Sequence, residues 1–364
     1  MPKQTFLDAQ HLAAGAKMVD FAGWSMPLHY GSQIEEHHAV RNGSGMCDVS
    51  HMTIVDLSGD GAQPFLRRLL ANDVAKLKLP GKALYSCMLR EDGGVIDDLI
   101  VYYLSDTCYR MVVNAATRDK DLAWLREQAA AFAVDIRERA DLAMIAVQGP
   151  EARARVHAVL TDDQQRLAGE LKPFVGVGAD DLFIARTGYT GEDGYEIMLP
   201  GAQAGRLWAD LVSQGVRPCG LGARDSLRLE AGMNLYGADM DESVTPLDSG
   251  LAWTVAFTPQ ARAFIGRGAL EAQRDAGSHG RFVGLVLQDR GVLRAHQPVT
   301  VDGAVVGETT SGGFSPTLNT SIALARLAGG EAQSCQVEVR GRLLTCQIVA
   351  PPFVRHGKAC YAVS

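Results

Sequence analysis

No two of the seven cysteines in this 364-residue chain are spaced Cys-x-x-Cys, and their number is odd. Cys47, Cys87, Cys108, Cys219, Cys335, Cys346 and Cys360 therefore form neither a disulfide framework nor a metal-ligand cluster. They read as reduced, mostly buried small hydrophobes. Positive charge is also short: 35 Lys and Arg against 42 Asp and Glu leave a net charge of -7, which argues against a general nucleic-acid binder. No apolar run reaches bilayer-spanning length, and Met1 to Phe6 holds neither an apolar signal core nor an Arg-rich leader, so a cytoplasmic protein without a membrane partner is expected. What remains, 47% hydrophobic and 21% charged residues, is the balance of a soluble globular enzyme. The length exceeds what one core usually fills and points to two or three domains.

The stretch Gly93-Gly94-Val95-Ile96-Asp97-Asp98-Leu99-Ile100-Val101-Tyr102 places two adjacent carboxylates inside an apolar, β-branched run. Successive strand side chains face opposite ways, so Asp97 and Asp98 cannot both reach water if one face is covered. Ser86 to Leu89 reads as the strand before it and Cys108 to Val113 as the strand after, a three-strand meander. Within a residue or two of register, Asp98 then lies opposite Asn114 and near Tyr85, with Asp97 pointing the other way. A carboxylate, a carboxamide and a phenol would share one face. Spacing alone equally suits a turn cap or a pairing with a nearby arginine.

Residues 5 to 17 carry a helical pattern ended by Gly15, and Met18 to Pro27 reads as an irregular, packed apolar loop. Glu35-Glu36-His37-His38 reads as the solvated face of a helix. His51, at the start of the strand Thr53 to Leu57, is either an acid–base group or a hydrogen-bonded core residue, the second being the commoner case. Between the strands Phe183 to Arg186 and Tyr195 to Leu199, three glycines permit positive φ or close approach to a ligand. Glu196 stands inside the second strand, where a carboxylate suits two parallel N–H donors of a flat heterocycle or an internal ion pair with Arg186. Gly220-Leu221-Gly222 opens a helix but lacks the third glycine of a dinucleotide fingerprint. Arg224 and Arg228 share a face of that helix, so one can reach a ligand while the other braces Asp225 or Glu230. Thr258 to Ser278 is a boundary candidate, and from Arg281 onward six short strands separated by Gly, Pro and Asn turns favour a small barrel or sandwich.

Taken together, Phe21-Ala22-Gly23-Trp24, Asp48-Val49-Ser50-His51-Met52, Gly93 to Leu99, Thr187-Gly188-Tyr189-Thr190-Gly191-Glu192-Asp193-Gly194, Ala223 to Glu230 and Pro352-Phe353-Val354 resemble the glycine cleavage system T protein family, the aminomethyltransferases, over essentially the whole chain. The resemblance implies an α+β fold of three domains in a cloverleaf around a central channel. Two are discontinuous mixed α/β domains on antiparallel sheets, residues 1–52 with 141–245 and residues 53–140 with 246–278; the third is a C-terminal all-β barrel-like domain, 279–364. It implies transfer of the methylene of an aminomethyl group from the lipoyl arm of the H protein to tetrahydrofolate, releasing ammonia, with no metal, nicotinamide or flavin. Asp98 corresponds to the family's catalytic carboxylate. Glu196 and Arg224 correspond to folate-binding positions, as do Met52, Tyr85, Val112, Asn114, Tyr189 and Tyr236 in the pocket and Lys358, with Arg355 close by, near the C-terminus. The alternative is a non-transferase folate-binding protein of the iron–sulfur assembly type, whose Lys-Gly-Cys signature is absent here.

Overall fold

The alternating β-branched and aromatic residues between Thr53 and Val113 pair into one antiparallel sheet in the computed structural model, which describes residues 1–361. Its five strands run in the order Ala83–Leu89, Val95–Ser105, Cys108–Val113, Thr53–Ser58 and Asp135–Glu138. The first three are the expected meander. The turn between the first two is closed by the Arg90 N–H on the Gly94 carbonyl at 2.9 Å. Gly93 is needed there for its φ of 87°, and Gly94 for space: a Cβ on it would stand 2.1 Å from the carbonyl oxygen of Glu242. Helix Arg118–Ala129 buries Asp121, Leu122, Leu125 and Ala129, one stripe at helical spacing.

A second sheet has six strands, Gly176–Ala179, Leu182–Ala185, Gly194–Pro200, Leu142–Gln148, Gly45–Asp48 and Arg217–Pro218, antiparallel except at the last pair. Leu142–Gln148 is buried at every residue, which is why it is apolar from Leu142 to Val147. Ile145, Val147, Ile197 and Leu199 pack with Val156, Trp208 and Leu211 of the flanking helices. Each such buried side chain contributes about 1.5–3 kcal/mol. Both sheets fall largely within one compact unit, Met1–Ser86, Asp97–Gly188 and Glu192–Arg224.

Two local expectations are corrected in this unit. Met18 to Pro27 is a hairpin of Lys17–Phe21 and Trp24–His29, with Ala22 (φ 51°) and Gly23 (φ 79°) forming the two-residue left-handed turn that such hairpins favour. Apolar residues on both strand faces hide the alternation in the sequence. Nor is Glu35–His38 a solvated face: Glu36 and His37 are completely buried in helix Gln33–Asn42. The Glu36 carboxylate accepts the N–H groups of Tyr30 at 2.6 Å and Gly220 at 2.9 Å. It occupies the position at the start of helix Leu221–Glu230 that a phosphate would take in a dinucleotide fold.

The second unit holds Cys87–Ile96, Tyr189–Gly191 and the chain from Asp225 onward. Its six C-terminal strands close into a barrel ordered Arg281–Leu287, Thr320–Leu327, Ala304–Ser315, Pro298–Val301, Ser334–Val339 and Arg342–Val349, with Leu285, Ala323, Ala325, Val337 and Cys346 inside. Arg228 is the bracing member of the arginine pair. It is buried and bonded to Asp225 at 2.8 Å, Asp239 at 3.0 Å and Ser311 at 3.1 Å. No helix among the described residues is long and apolar enough to cross a membrane.

Gly94→Ala is expected to destabilise the protein by about 1–3 kcal/mol, because the new methyl meets backbone that cannot move aside as a side chain would. A lowered thermal unfolding temperature checks this.

Candidate functional site

Strand Val95–Ser105 is buried at Asp97 and half-buried at Asp98, so each carboxyl needs partners. The register supplies them. Ile100 pairs with Val112, which brings Asp98 opposite Asn114 two residues further along the antiparallel ladder, on the same face as Val112. The Asn114 side-chain amide donates to Asp98 Oδ1 at 2.9 Å, and the Tyr85 hydroxyl donates to Asp98 Oδ2 at 2.7 Å. Thr53 pairs with Val113, so half-buried Met52 arrives beside Asn114 from the other side and lines a cleft with Phe6, Trp24 and His51.

Asp97 is not independent of this arrangement. It does lie on the opposite side of the strand, but Asn114 serves it as well, with Nδ2 donating to Oδ1 at 2.9 Å and the backbone N–H to Oδ2 at 3.0 Å. A side chain at the strand end is free to reach around the edge, which strict alternation does not anticipate.

Burial raises the pKa of Asp98 to about 7, aided by the charge of Asp97, while the Tyr85 and Asn114 donors pull it down. No arginine or lysine pairs with it among the described residues. The result is a carboxylate held only by neutral donors and poised near neutrality, the condition a general base requires. Asp97 is pushed well above the usual carboxylate range, by burial first and then by Asp121 of the neighbouring helix.

Glu196 lies in the six-stranded sheet between Ala146 and Ala185. The ion pair with Arg186 does not form: Arg186 grips Asp193 through two bonds of 2.8 and 2.7 Å. Instead Thr187 donates to Glu196 Oε2 at 2.6 Å, with the Tyr102 hydroxyl 3.1 Å from Thr187. Burial and then the Glu196 charge raise the Tyr102 phenol, which stays protonated. In the glycine-rich turn only Gly191 has positive φ. Gly188 and Gly194 are small because Gln148 and the Val147 carbonyl press on them, so the close approach is made by the protein's own chain.

Arg224 sits half-buried in the first turn of its helix, and its charge, after burial, holds His51 down to about 4. His51 is thus a neutral core residue packed edge-on to Phe21, with Nδ1 unpaired among the described residues. The other three positions belong to the second unit. Tyr189 donates to the Asn234 carbonyl, and Tyr236 to the Val95 carbonyl at 3.0 Å. Lys358 and Arg355 are both exposed and face each other across a two-residue ladder. Two residues carry no signal in the sequence reading. Trp253, 67% exposed in the turn Ala252–Thr254, is submerged in an apolar stretch, and Asp121 reads as an ordinary first-turn acid.

In the folded protein Asp98 keeps its proton to about pH 7, but in the unfolded chain only to about pH 3.9. The stability linked to that extra proton is full below the unfolded value and lost as pH rises through 7. Carbon NMR of the Asp98 carboxyl should show a midpoint near 7. The decline in unfolding temperature between about pH 5 and about pH 8 should be shallower in Asp98→Asn.

Sequence profiles match in two consecutive blocks, the GCVT N-terminal domain over residues 7–259 and the glycine cleavage T-protein C-terminal barrel domain over residues 281–355. The crystal structure of the glycine cleavage system aminomethyltransferase T from Bartonella henselae is 35% identical and superposes with a TM-score of 0.90, covering 98% of this chain and 99% of that one. A chain of the heterotetrameric sarcosine oxidase from Corynebacterium sp. U-96 matches at 13% identity over 50% of this chain and 89% of its own, with a TM-score of 0.34, and bears on nothing further. With both domain profiles in order and a full-length likeness in fold, the chain belongs to the glycine cleavage T-protein family.

Proposed function

We propose that the protein is a tetrahydrofolate-dependent aminomethyltransferase. It takes the aminomethyl group from the lipoyl arm of an H protein, passes its methylene to tetrahydrofolate, and releases ammonia and the dihydrolipoyl arm. The observation that carries this reading is Asp98, a carboxylate with both oxygens held by neutral donors and a pKa near neutrality.

The chemistry needs such a group. The carbon loses its bonds to sulfur and to the departing nitrogen and gains two bonds to folate nitrogens. Two N–H protons leave those nitrogens; one ends on ammonia and one on the lipoyl thiolate. Asp98 as the anion stabilises positive charge developing at the carbon and relays a proton from the attacking nitrogen to a leaving group. Its Tyr85 and Asn114 donors keep it anionic without neutralising it as a guanidinium would. Most of the remaining acceleration is assigned to holding two large reactants together.

Glu196 is assigned to the aminopyrimidinone edge of the pterin. Thr187 occupies only one of its oxygens, leaving the other for a ligand N–H. Val112, Met52, Tyr189 and Tyr236 are assigned to packing and stacking around the folate, Arg224 to its polar portion, and Lys358 with Arg355 to its glutamate tail. The paired basic side chains at 355 and 358 support the last assignment.

Ammonia and methylenetetrahydrofolate should form from aminomethyl-loaded H protein and tetrahydrofolate. Asp98→Asn is expected to cut turnover about 10²–10⁴-fold while still binding folate. It should unfold no earlier than the wild type at pH 8, because a buried charge has been removed. Folate binding by the wild type without ammonia release would move the function to the non-transferase relatives. Glu196→Gln should raise KM for tetrahydrofolate about 10-fold or more and leave kcat at saturation nearly unchanged, as loss of a charge-assisted bond to the substrate predicts.

A further inference from the structure

Glu196 ends a chain of three polar side chains, and the number of hydrogens in that chain fixes its direction. The Thr187 hydroxyl donates to Glu196 Oε2 at 2.6 Å and lies 3.1 Å from the Tyr102 hydroxyl, where distance alone allows either oxygen to be the donor. Thr187 has one hydroxyl hydrogen, and an ionised carboxylate can only accept. That hydrogen goes to Glu196, so the Tyr102 O–H donates to Thr187. Only a phenolate would draw the Thr187 hydrogen the other way, and burial with the Glu196 charge keeps the phenol protonated. The order is Tyr102 to Thr187 to Glu196.

The two upstream members are held more firmly than the carboxylate they serve. Tyr102 is completely buried, with its ring edge-on to Phe183 at 5.1 Å between centroids. Thr187 is buried too, and its backbone carbonyl accepts the Gln148 side-chain amide at 3.1 Å. Glu196 is half-buried, and its Oε1 has no partner among the described residues. The last torsion of a glutamate is broad, so an unheld carboxylate would sample many planes. We propose that Thr187 and Tyr102 are positioning residues for Glu196: the hydroxyl chain fixes the plane of the carboxylate and leaves Oε1, with the second lone pair of Oε2, turned to the ligand. Polarisation along the chain strengthens its last bond. A flat heterocycle with two adjacent N–H donors then meets a fork already oriented, and binding need not order the side chain. The positioning role rests on the assignment of Glu196 to the pterin made above; the hydrogen-bond order does not.

The experiment has two arms. Without ligand, infrared difference spectra against Tyr102→Phe isolate the C–O stretch of the Tyr102 phenol, which should lie where a phenol that donates and does not accept absorbs. Thr187→Val, which keeps the shape and removes the hydroxyl, should shift that band. The band of an accepting phenol, or one unmoved in Thr187→Val, overturns the proposal. The second arm measures tetrahydrofolate binding at equilibrium and then turnover with aminomethyl-loaded H protein. Thr187→Val should weaken binding and raise KM about 10-fold with kcat at saturation nearly unchanged, Tyr102→Phe should do so about 3-fold, and Thr187→Ser should stay within about 2-fold of the wild type. In a Glu196→Gln background Thr187→Val should add less than about 2-fold, because its effect runs through the carboxylate. An equal loss in both backgrounds, or no rescue by serine, overturns the proposal. Tyr102→Phe read in the same two backgrounds gives the same test should the valine variant fail to fold. Glu196→Gln without effect on folate binding would sink the Glu196 assignment and the positioning role with it, and the infrared arm would still decide the order of the bonds.

Discussion

The Asn114 side-chain amide has two hydrogens and three acceptors in reach: Asp97 Oδ1, Asp98 Oδ1 and the Asp98 carbonyl at 3.1 Å. Its backbone N–H takes a fourth, Asp97 Oδ2. Everything else at the site is arranged around this one residue, because it alone joins the buried carboxylate to the half-buried one. Its position depends on the pairing of Ile100 with Val112 and of Thr53 with Val113. A slip of one residue would turn Asp98 to the other face of the sheet and leave Asn114 opposite Leu99 or Asp97 in its place. The tight Arg90–Gly94 turn, with glycines where φ and space demand them, joins the strand carrying Tyr85 to the strand carrying Asp98.

Three carboxyls in one small volume are a standing cost, since burial opposes ionisation of Asp97, Asp98 and Asp121 alike. The sequence does not relieve the cost with an arginine, although it does so elsewhere. Arg110 and Arg139 converge on Asp56, and Arg228 meets Asp239 in the second unit. Those pairs lower or neutralise charge, which is what a structural site needs. At Asp98 the same solution would depress the pKa and remove the basicity that proton transfer requires. Stability is supplied elsewhere in the same unit by cores such as the buried strand Leu142–Gln148 with its flanking helices.

How much of this the sequence discloses depends on the range of the interaction. The meander, the barrel strands and the Asp98–Asn114–Tyr85 grouping are legible because hairpin register is local, set by turns at Gly93 and Asp106. Glu36 and His37 are not legible, because nothing in Glu35–His38 announces that Gly220 will bring its N–H to the Glu36 carboxylate. The same holds for the buried relay in which Tyr30 contacts His11, and His11 contacts Asp48, at 2.8 and 2.9 Å. The sequence draws attention to His51 instead, which proves to be a neutral packing residue. A histidine next to a strand is conspicuous, whereas one inside a short helix is not.

Asp121 marks the limit of sequence reading most sharply. An acid in the first helical turn is favoured by the helix dipole whether it is exposed or buried, so composition gives the same sign in both cases. Its exposed neighbour Asp119 fills the ordinary role. The distinction rests on the stripe that buries Leu122 and Leu125, because the helical period that turns those leucines inward also turns Asp121 toward the strand carrying Asp97. A doublet of aspartates in an apolar strand thus implies that something must hold a proton or a counter-charge nearby. That a third carboxyl, Asp121, packs against the doublet is decided by a helix that begins some twenty residues later, and local pattern carries no record of it.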